Sequence, residues 1–348
     1  MAIAAPRTDT EKAIAELAKL TPSRSARQSL TEISTLAAIA RDRAEQAADD
    51  DGLKIEPLDV PTNWGDFART CRVRTGSGIA YFDPYSYQEA IVGALTAHRG
   101  SVILKSRQMG ISETAWLWFL WRACLTPGYC AALFSKRKED TSDLARRVRL
   151  AIGGLGFETP TDNLLTIELP NGSRLLFRTA KKSDGRGIAS VHDLLFDEAA
   201  FVDGIDEIYG GALPAQSMVG EAARTIVVST PDRATGWYYD MLADGNGKRD
   251  VLKICQQIRE RRIEPCQVWT DDNGWAKILL HWRAHPIYGQ QDDYLQRIAR
   301  DSRMPLSTVR REYDLDFGES DRTVFGVDLI EKALSFPESE EFPEFEEW

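Results

Sequence analysis

The sequence predicts an α/β fold, a parallel sheet covered by helices on both faces, and three observations predict it. Runs such as Val102-Ile103-Leu104, Ala131-Ala132-Leu133-Phe134 and Ile226-Val227-Val228 are apolar without alternation, as strands buried on both sides must be. Stretches with apolar residues at helical spacing separate them, so strand and helix alternate along the chain. Three apolar runs stop at polar clusters: Lys105 onward, Asp197-Glu198, and Ser229-Thr230. Open parallel sheets bind ligands beyond the carboxyl ends of their strands, so the convergence of three such ends marks the place to look for chemistry.

The elements follow in order. Residues 1–60 are expected to form a helical N-terminal extension, with apolar residues at helical spacing (Ile14, Leu17, Leu20, then Leu30, Ile33, Leu36, Ile39) on either side of Thr21-Pro22. A core over 61–250 follows. In it, "SVILK" is a buried strand, Ser112 to Cys124 a buried helix, "YCAALFS" (129–135) a strand, and 140–152 an amphipathic helix. "LLTIELPNGSRLLFRTA" reads as a hairpin with Asn171-Gly172 at its turn. "VHDLLFDE" and "ARTIVVSTP" supply two more strands. Residues 251–326 are expected as the C-terminal part of the same domain, a small lid or linker subdomain, with a strand over "KILLHWRAH" and helices over "DDYLQRIARDSRM" and "PLSTVRREYDLDF". An acidic tail, 327–348, ends the chain.

Composition narrows the function classes. The 348 residues carry 43 Lys and Arg against 53 Asp and Glu, a net charge of −10, which excludes a chain coated in basic residues for general adhesion to nucleic acid. Between 101 and 190, however, 14 Lys/Arg face 8 Asp/Glu, as suits a localised polyanion site. The five cysteines are scattered and form no C-x-x-C pair, a pattern of reduced thiols and not of a disulfide or zinc framework. The aromatic-rich stretch from Ala115 to Trp121 is too short to cross a bilayer. No signal-peptide pattern opens the chain, and an intracellular protein is expected.

The segment "KSRQMGIS", 105–112, has the layout of a phosphate cradle. Backbone N–H groups and a helix N-terminus point at an anion, Gly110 permits close approach, and the Ser112 hydroxyl is able to bind Mg²⁺. The pattern G-x-x-x-x-G-K-[ST] is only partly met, because Ser106 replaces the first glycine and Ile111 the lysine. Lys105 opens the loop and has the reach to fold back over it; Arg107 adds a second cation. The octet also reads as a solvated Lys-x-Arg turn. The acidic pair at the end of "LLFDE" is costly unless it works: Asp197 would hold Mg²⁺ and Glu198 would take a proton from the attacking water. An N-cap is its alternative reading. Ser229 and Thr230 would sense a γ-phosphate, or simply end a strand at Pro231. In "YSYQEA", Gln88 is able to pair with an adenine edge, with Tyr87 or Tyr85 stacking; the stretch reads also as a plain helix start. "KKSDGRGIAS" (181–190) offers Arg186 between Gly185 and Gly187, for a phosphate backbone or for the site of a neighbouring subunit, against a solvated loop. Trp116, Trp118, Phe119 and Trp121 are read as core, and the histidines of "HWRAH" are assigned no metal.

Together these residues resemble the ATPase domain of the large terminase subunit, the DNA-packaging motor of tailed bacteriophages. "SRQMGIS" stands for its variant Walker A, "LLFDEAAF" for its Walker B with catalytic glutamate, "VVSTP" for its coupling motif, and "RREYDLDFGESDRTVF" for the segment leading toward its nuclease, over about residues 80–326. The resemblance implies a RecA-like P-loop core and an enzyme that hydrolyses ATP with Mg²⁺ to move double-stranded DNA into a procapsid. It implies that Lys105 is the phosphate lysine. The loop from Ser106 through Arg107, Gln108, Met109, Gly110 and Ile111 to Ser112 would hold the nucleotide with Gln88 and Tyr87. Ser112 and Asp197 would hold the metal, Glu198 and Arg107 would act in catalysis, and Ser229 and Thr230 would couple. It also implies a portal protein and a small terminase subunit as partners, a homo-oligomeric ring on the procapsid, and a place in the host cytoplasm. The family's RNase H-like nuclease has no room after "TVF", so no DNA cutting is expected and the nuclease is expected as a separate domain or chain. The rival readings are a helicase-like translocase, which needs a second lobe, and a P-loop scaffold that binds DNA or a portal without hydrolysis.

Overall fold

The computed structural model describes residues 56–317 apart from 164, 182–187 and 189. The expected N-terminal helices, the acidic tail and Arg186 with its flanking glycines lie outside these residues. Helix α1 (Trp64–Thr70) starts at Asn63, whose side chain accepts from Asp66 N at 3.1 Å. An antiparallel hairpin follows, β1 (Arg72–Thr75) with β2 (Gly78–Tyr81). Then come α2 (Ser86–Ala97), β3 (Gly100–Lys105), α3 (Ile111–Leu125), β4 (Cys130–Ser135) and α4 (Lys138–Leu155). Three short strands, β5 (Thr161–Asn163), β6 (Thr166–Glu168) and β7 (Arg174–Thr179), precede β8 (Asp193–Asp197) and α5 (Ile205–Ala212). The rest is β9 (Arg224–Ser229), α6 (Trp237–Ala243), α7 (Val251–Arg259), β10 (Cys266–Thr270), β11 (Ala276–Leu280), α8 (Tyr294–Ser302) and α9 (Leu306–Tyr313).

Nine strands form one sheet in the order β10-β11-β3-β9-β8-β4-β7-β6-β5. The six from β11 to β7 are parallel, and antiparallel pairs flank them: β10 on one edge, β6 and β5 on the other. Apolar runs without alternation thus became parallel strands covered on both sides. Successive residues serve opposite cores: Ile103, Leu133, Leu195 and Val228 pack with α2, α3 and α4, while Leu104, Phe134, Phe196 and Val227 pack against α5, α6 and α7. Trp116, Trp118, Phe119 and Trp121 are buried in the first core, as their sequence suggested.

Strands β10 and β11 come from the segment expected as a small subdomain, and they complete the main sheet. β11 pairs in parallel with β3, Leu280 opposite Lys105. The strand expected over "KILLHWRAH" stops at Leu280. Ser106 N donates to Leu280 O at 2.8 Å and Trp282 N donates to Ser106 Oγ at 2.9 Å, so the chain turns beneath the β3 loop as a short 3-10 turn, 282–284. The helix expected over "PLSTVRREYDLDF" ends at Tyr313, because Asp314 turns back to accept from His281 Nε2 at 2.8 Å and Trp282 Nε1 at 3.1 Å. His285 stacks on Tyr288, ring centres 3.9 Å apart, and Tyr85 packs edge-on against it. No described helix is long and apolar enough to cross a membrane.

At the opposite end of the sheet from those polar strand termini, Asp193 is fully buried. It is held by Arg122 Nη1 at 2.8 Å, by the Tyr129 hydroxyl and by Arg224 N at 3.1 Å. Arg122→Ala would leave that carboxylate buried without its cation, at a cost of about 3–5 kcal/mol. Urea unfolding is expected to show the loss as a lower midpoint at unchanged slope.

Candidate active site

The three polar strand ends that the sequence singled out belong to β3, β9 and β8, which are neighbours and parallel. Their carboxyl ends therefore open on one edge of the sheet. Lys105, the last residue of β3, is 5% exposed, and its Nζ lies 3.1 Å from Glu198 Oε1. Glu198 follows β8 directly in a left-handed conformation, φ 52°. Its amide donates to Asp197 Oδ1 at 3.0 Å, and its Oε2 faces Thr230 N at 3.5 Å. Asp197 Oδ1 also accepts from Ser112 Oγ at 3.1 Å. Ser229 Oγ accepts from Ala200 N at 3.2 Å and so ties the end of β9 to the turn after β8.

Two left-handed residues curl the loop between β3 and α3, Gln108 at φ 61° and Gly110 at φ 69°. Gly110 stands at the cap of α3 and brings no side chain over its first turn, so the positive end of the helix faces the cleft. The left-handed backbone favours glycine here, and a Cβ would lie 2.6 Å from Gln88 Nε2, so that amide would have to shift. Ile111, at the usual lysine position, is 1% exposed and part of the core. The buried ammonium beside the acid pair is instead that of Lys105, at the near edge of the loop.

Burial pushes both carboxylates up, and their neighbours then separate them. The Lys105 ammonium, close and hydrogen-bonded, more than offsets burial for Glu198 and leaves it below the ordinary glutamate value. Asp197 is raised to about 6 by burial and by the Glu198 charge beside it, against the pull of Lys105 and the Ser112 hydrogen bond. One acid is held ionised and its neighbour is protonated more readily, an inequality common where carboxylates work together.

A cleft of about 540 Å³ opens beyond these groups. Arg107, Ser112, Asp197, Glu198 and Thr230 line it, and so do residues that the sequence did not mark: Lys136 and Arg137 after β4, Arg147 on α4, and Glu312 at the end of α9. Lys136-Arg137 was within reach of the same logic, since it follows another strand end. Arg147 and Glu312 come from helices far away in the chain and carry no local signal. Arg147 pairs with Glu113 in the first turn of α3 and with Asp143 at 3.1 Å.

Other marked residues sit behind the loop. Gln88, 2% exposed, accepts from Tyr85 N through Oε1 at 2.9 Å, and its Nε2 donates to the carbonyls of Met109 and Gly110, each at 3.4 Å. The Tyr87 hydroxyl donates to Met109 O at 3.0 Å. Both residues, read as base contacts, here brace the loop from the α2 side. Ser106 is buried and accepts from Trp282 N while its hydroxyl donates to Tyr313 O. The side chain of Met109 is buried as well. Among the described residues no group of three or more His, Cys, Asp or Glu is placed to hold a metal ion.

No curated protein matches the chain. Among solved structures, the ATPase domain of the large terminase of Thermus phage P74-26 is similar, with 17% identity over 68% of this chain and 94% of that one at a TM-score of 0.52. An arginine-to-alanine variant of the same domain aligns with 16% identity over 68% and 95%, at 0.53. At such identities the likeness is one of fold, and the fold is that of a terminase ATPase domain, RecA-like and α/β. A family model described as terminase large subunit, T4likevirus-type, N-terminal, matches residues 102–332. That span includes the loop, the acid pair, β9 and α9, and it takes in more than half of the chain, which therefore belongs to the T4likevirus-type terminase large-subunit family, in its N-terminal part.

Proposed function

We propose that this chain hydrolyses ATP with Mg²⁺ and uses the energy to drive double-stranded DNA into a viral procapsid. The observation that carries the reading is the pairing across the strand ends: Lys105 Nζ at 3.1 Å from Glu198, beside Ser112 Oγ at 3.1 Å from Asp197, with Ser112, Asp197 and Glu198 lining an open cleft. Family membership supports the packaging role, and the polar cleft supports a charged ligand.

The chemistry follows from the placement. Lys105 and the N–H groups at the start of α3 bind the β- and γ-phosphates. Ser112 Oγ and Asp197 Oδ1 are hard oxygen donors that stand 3.1 Å apart, the kind that Mg²⁺ takes, so these two residues would hold the metal. When bound, Mg²⁺ supplies charge neutralisation to the phosphate oxygens. Glu198 accepts the proton of the attacking water as the bond from the γ-phosphorus to the bridging oxygen breaks and ADP leaves. Arg107 faces the charge that builds on the γ-phosphoryl group. Thr230, whose amide lies 3.5 Å from Glu198, and Ser229, tied to the turn after β8, register the change at the acid and pass it to β9. Gln88 and Tyr87 act on the nucleotide through the loop they brace. Double-stranded DNA, a portal protein, a small terminase subunit and a nuclease domain or chain are the partners of this reading, and a ring of copies is its working assembly, with Arg186 offered to the neighbouring site.

Phosphate release from Mg-ATP, with and without double-stranded DNA, tests the reading. Turnover is expected, increased by DNA. Tight nucleotide binding with no phosphate released under any of these conditions would replace the motor with a P-loop scaffold.

A further inference from the structure

The loop is gripped from the C-terminal side of the described chain. Arg107 N donates to Glu312 O at 2.9 Å, and Arg107 Nη1 lies 2.8 Å from Glu312 Oε2. The two side chains differ in freedom: Arg107 is 58% exposed and Glu312 16%. Glu312 is rooted, since Ser106 Oγ donates to Tyr313 O and Asp314 is fastened to His281 and Trp282 beneath the loop. An acid in the last turn of a helix faces the negative end of its dipole and is unfavourable there, unless a cation accompanies it. Arg107 is that cation. Both line the cleft together with Glu198 and Thr230.

We propose that Glu312 is a positioning residue for Arg107: its carboxylate fixes the guanidinium at the mouth of the cleft, where it meets the γ-phosphoryl oxygens of a bound triphosphate. The proposal rests on the ATPase reading for its effect on rate, but the pairing itself does not. A long exposed arginine gives up rotamer freedom when it is fixed. Glu312 fixes it before substrate arrives, and stabilisation by a group already in place is what lowers a barrier most. The grip also joins the nucleotide loop to the chain that continues past Asp314, so the end of α9 and the γ-phosphate share one arginine.

Glu312→Ala is expected to lower kcat about tenfold with KM within about twofold, because the ground state is bound mainly by Lys105 and the loop amides. Glu312→Gln keeps an acceptor for the guanidinium and is expected to restore part of the loss. Arg107→Ala combined with Glu312→Ala is expected to be no slower than Arg107→Ala alone. A purely structural Glu312 would give losses that add to those of Arg107→Ala, without rescue by Gln, and that result overturns the proposal. Arginine side-chain NMR supplies a readout independent of hydrolysis, with the Arg107 signal assigned by its loss in Arg107→Ala. Slow guanidinium rotation is expected in the wild type and fast rotation in Glu312→Ala. Fast rotation in the wild type overturns the positioning role whatever the turnover. A wild type that releases no phosphate while Arg107 is held overturns the ATPase reading and leaves the pairing standing.

Discussion

Glu198→Gln is expected to bind ATP at least as well as the wild type while phosphate release falls by about 10²–10⁴-fold, the range that a well-placed general base contributes. The amide matches the carboxylate in size and still offers Lys105 Nζ an oxygen where Oε1 stands now, 3.1 Å away. It removes the negative charge that competes with phosphate for the ammonium, so affinity has no cause to drop. What it lacks is a lone pair basic enough to take the proton of water. Nucleotide binding by a fluorescent triphosphate, with single-turnover hydrolysis alongside, separates the two effects. Turnover near that of the wild type would remove Glu198 from its proposed role.

The second large effect is expected at Lys105. Lys105→Ala should cost nucleotide affinity about 1.5–3 kcal/mol, the worth of a hydrogen bond to a charged group, and turnover should fall with it because the same cation faces the phosphates in the transition state. Ile111→Val, at the position where the usual motif has lysine, should cost only about 0.5–1.5 kcal/mol of folding stability, since that side chain is 1% exposed among core residues. Equilibrium titration of both variants with nucleotide, set against urea unfolding, gives the ranking. A larger loss of binding from Ile111→Val than from Lys105→Ala would place the phosphate cation elsewhere.

Much of this was legible in the sequence because it is written locally. Uniform apolar runs marked β3, β4, β8 and β9, and the polar residues directly after β3, β8 and β9 marked the edge on which the site lies. Parallel order then brings those ends together without further information. What could not be seen depends on partners distant in the chain. Nothing in Ala276–Leu280 says that it will lie beside β3 rather than in a lid at the edge of the domain, because pairing of that kind leaves no local pattern. Glu312 reads as one more charge on a surface helix until α9 is folded against the loop. Gln88 is a different case. It stands three residues after Tyr85 at the start of α2, and a glutamine in that position commonly turns back to the first amides of its helix. The spacing was present in "YSYQEA" and pointed to a capped helix start as readily as to a nucleobase; the hold on the loop carbonyls is not written in it.

Helix α3 has no fully exposed residue: its side chains are buried or half-buried from Ile111 to Leu125. A rod enclosed in this way has little room to tilt or slide, since displaced indoles would open voids on every side. In the proposed motor, the stroke is then expected around α3 as an anchor, in the short turns after β8 and β9 and in the α9 segment. Amide hydrogen exchange should accordingly be slowest along α3 and respond to nucleotide chiefly in those turns.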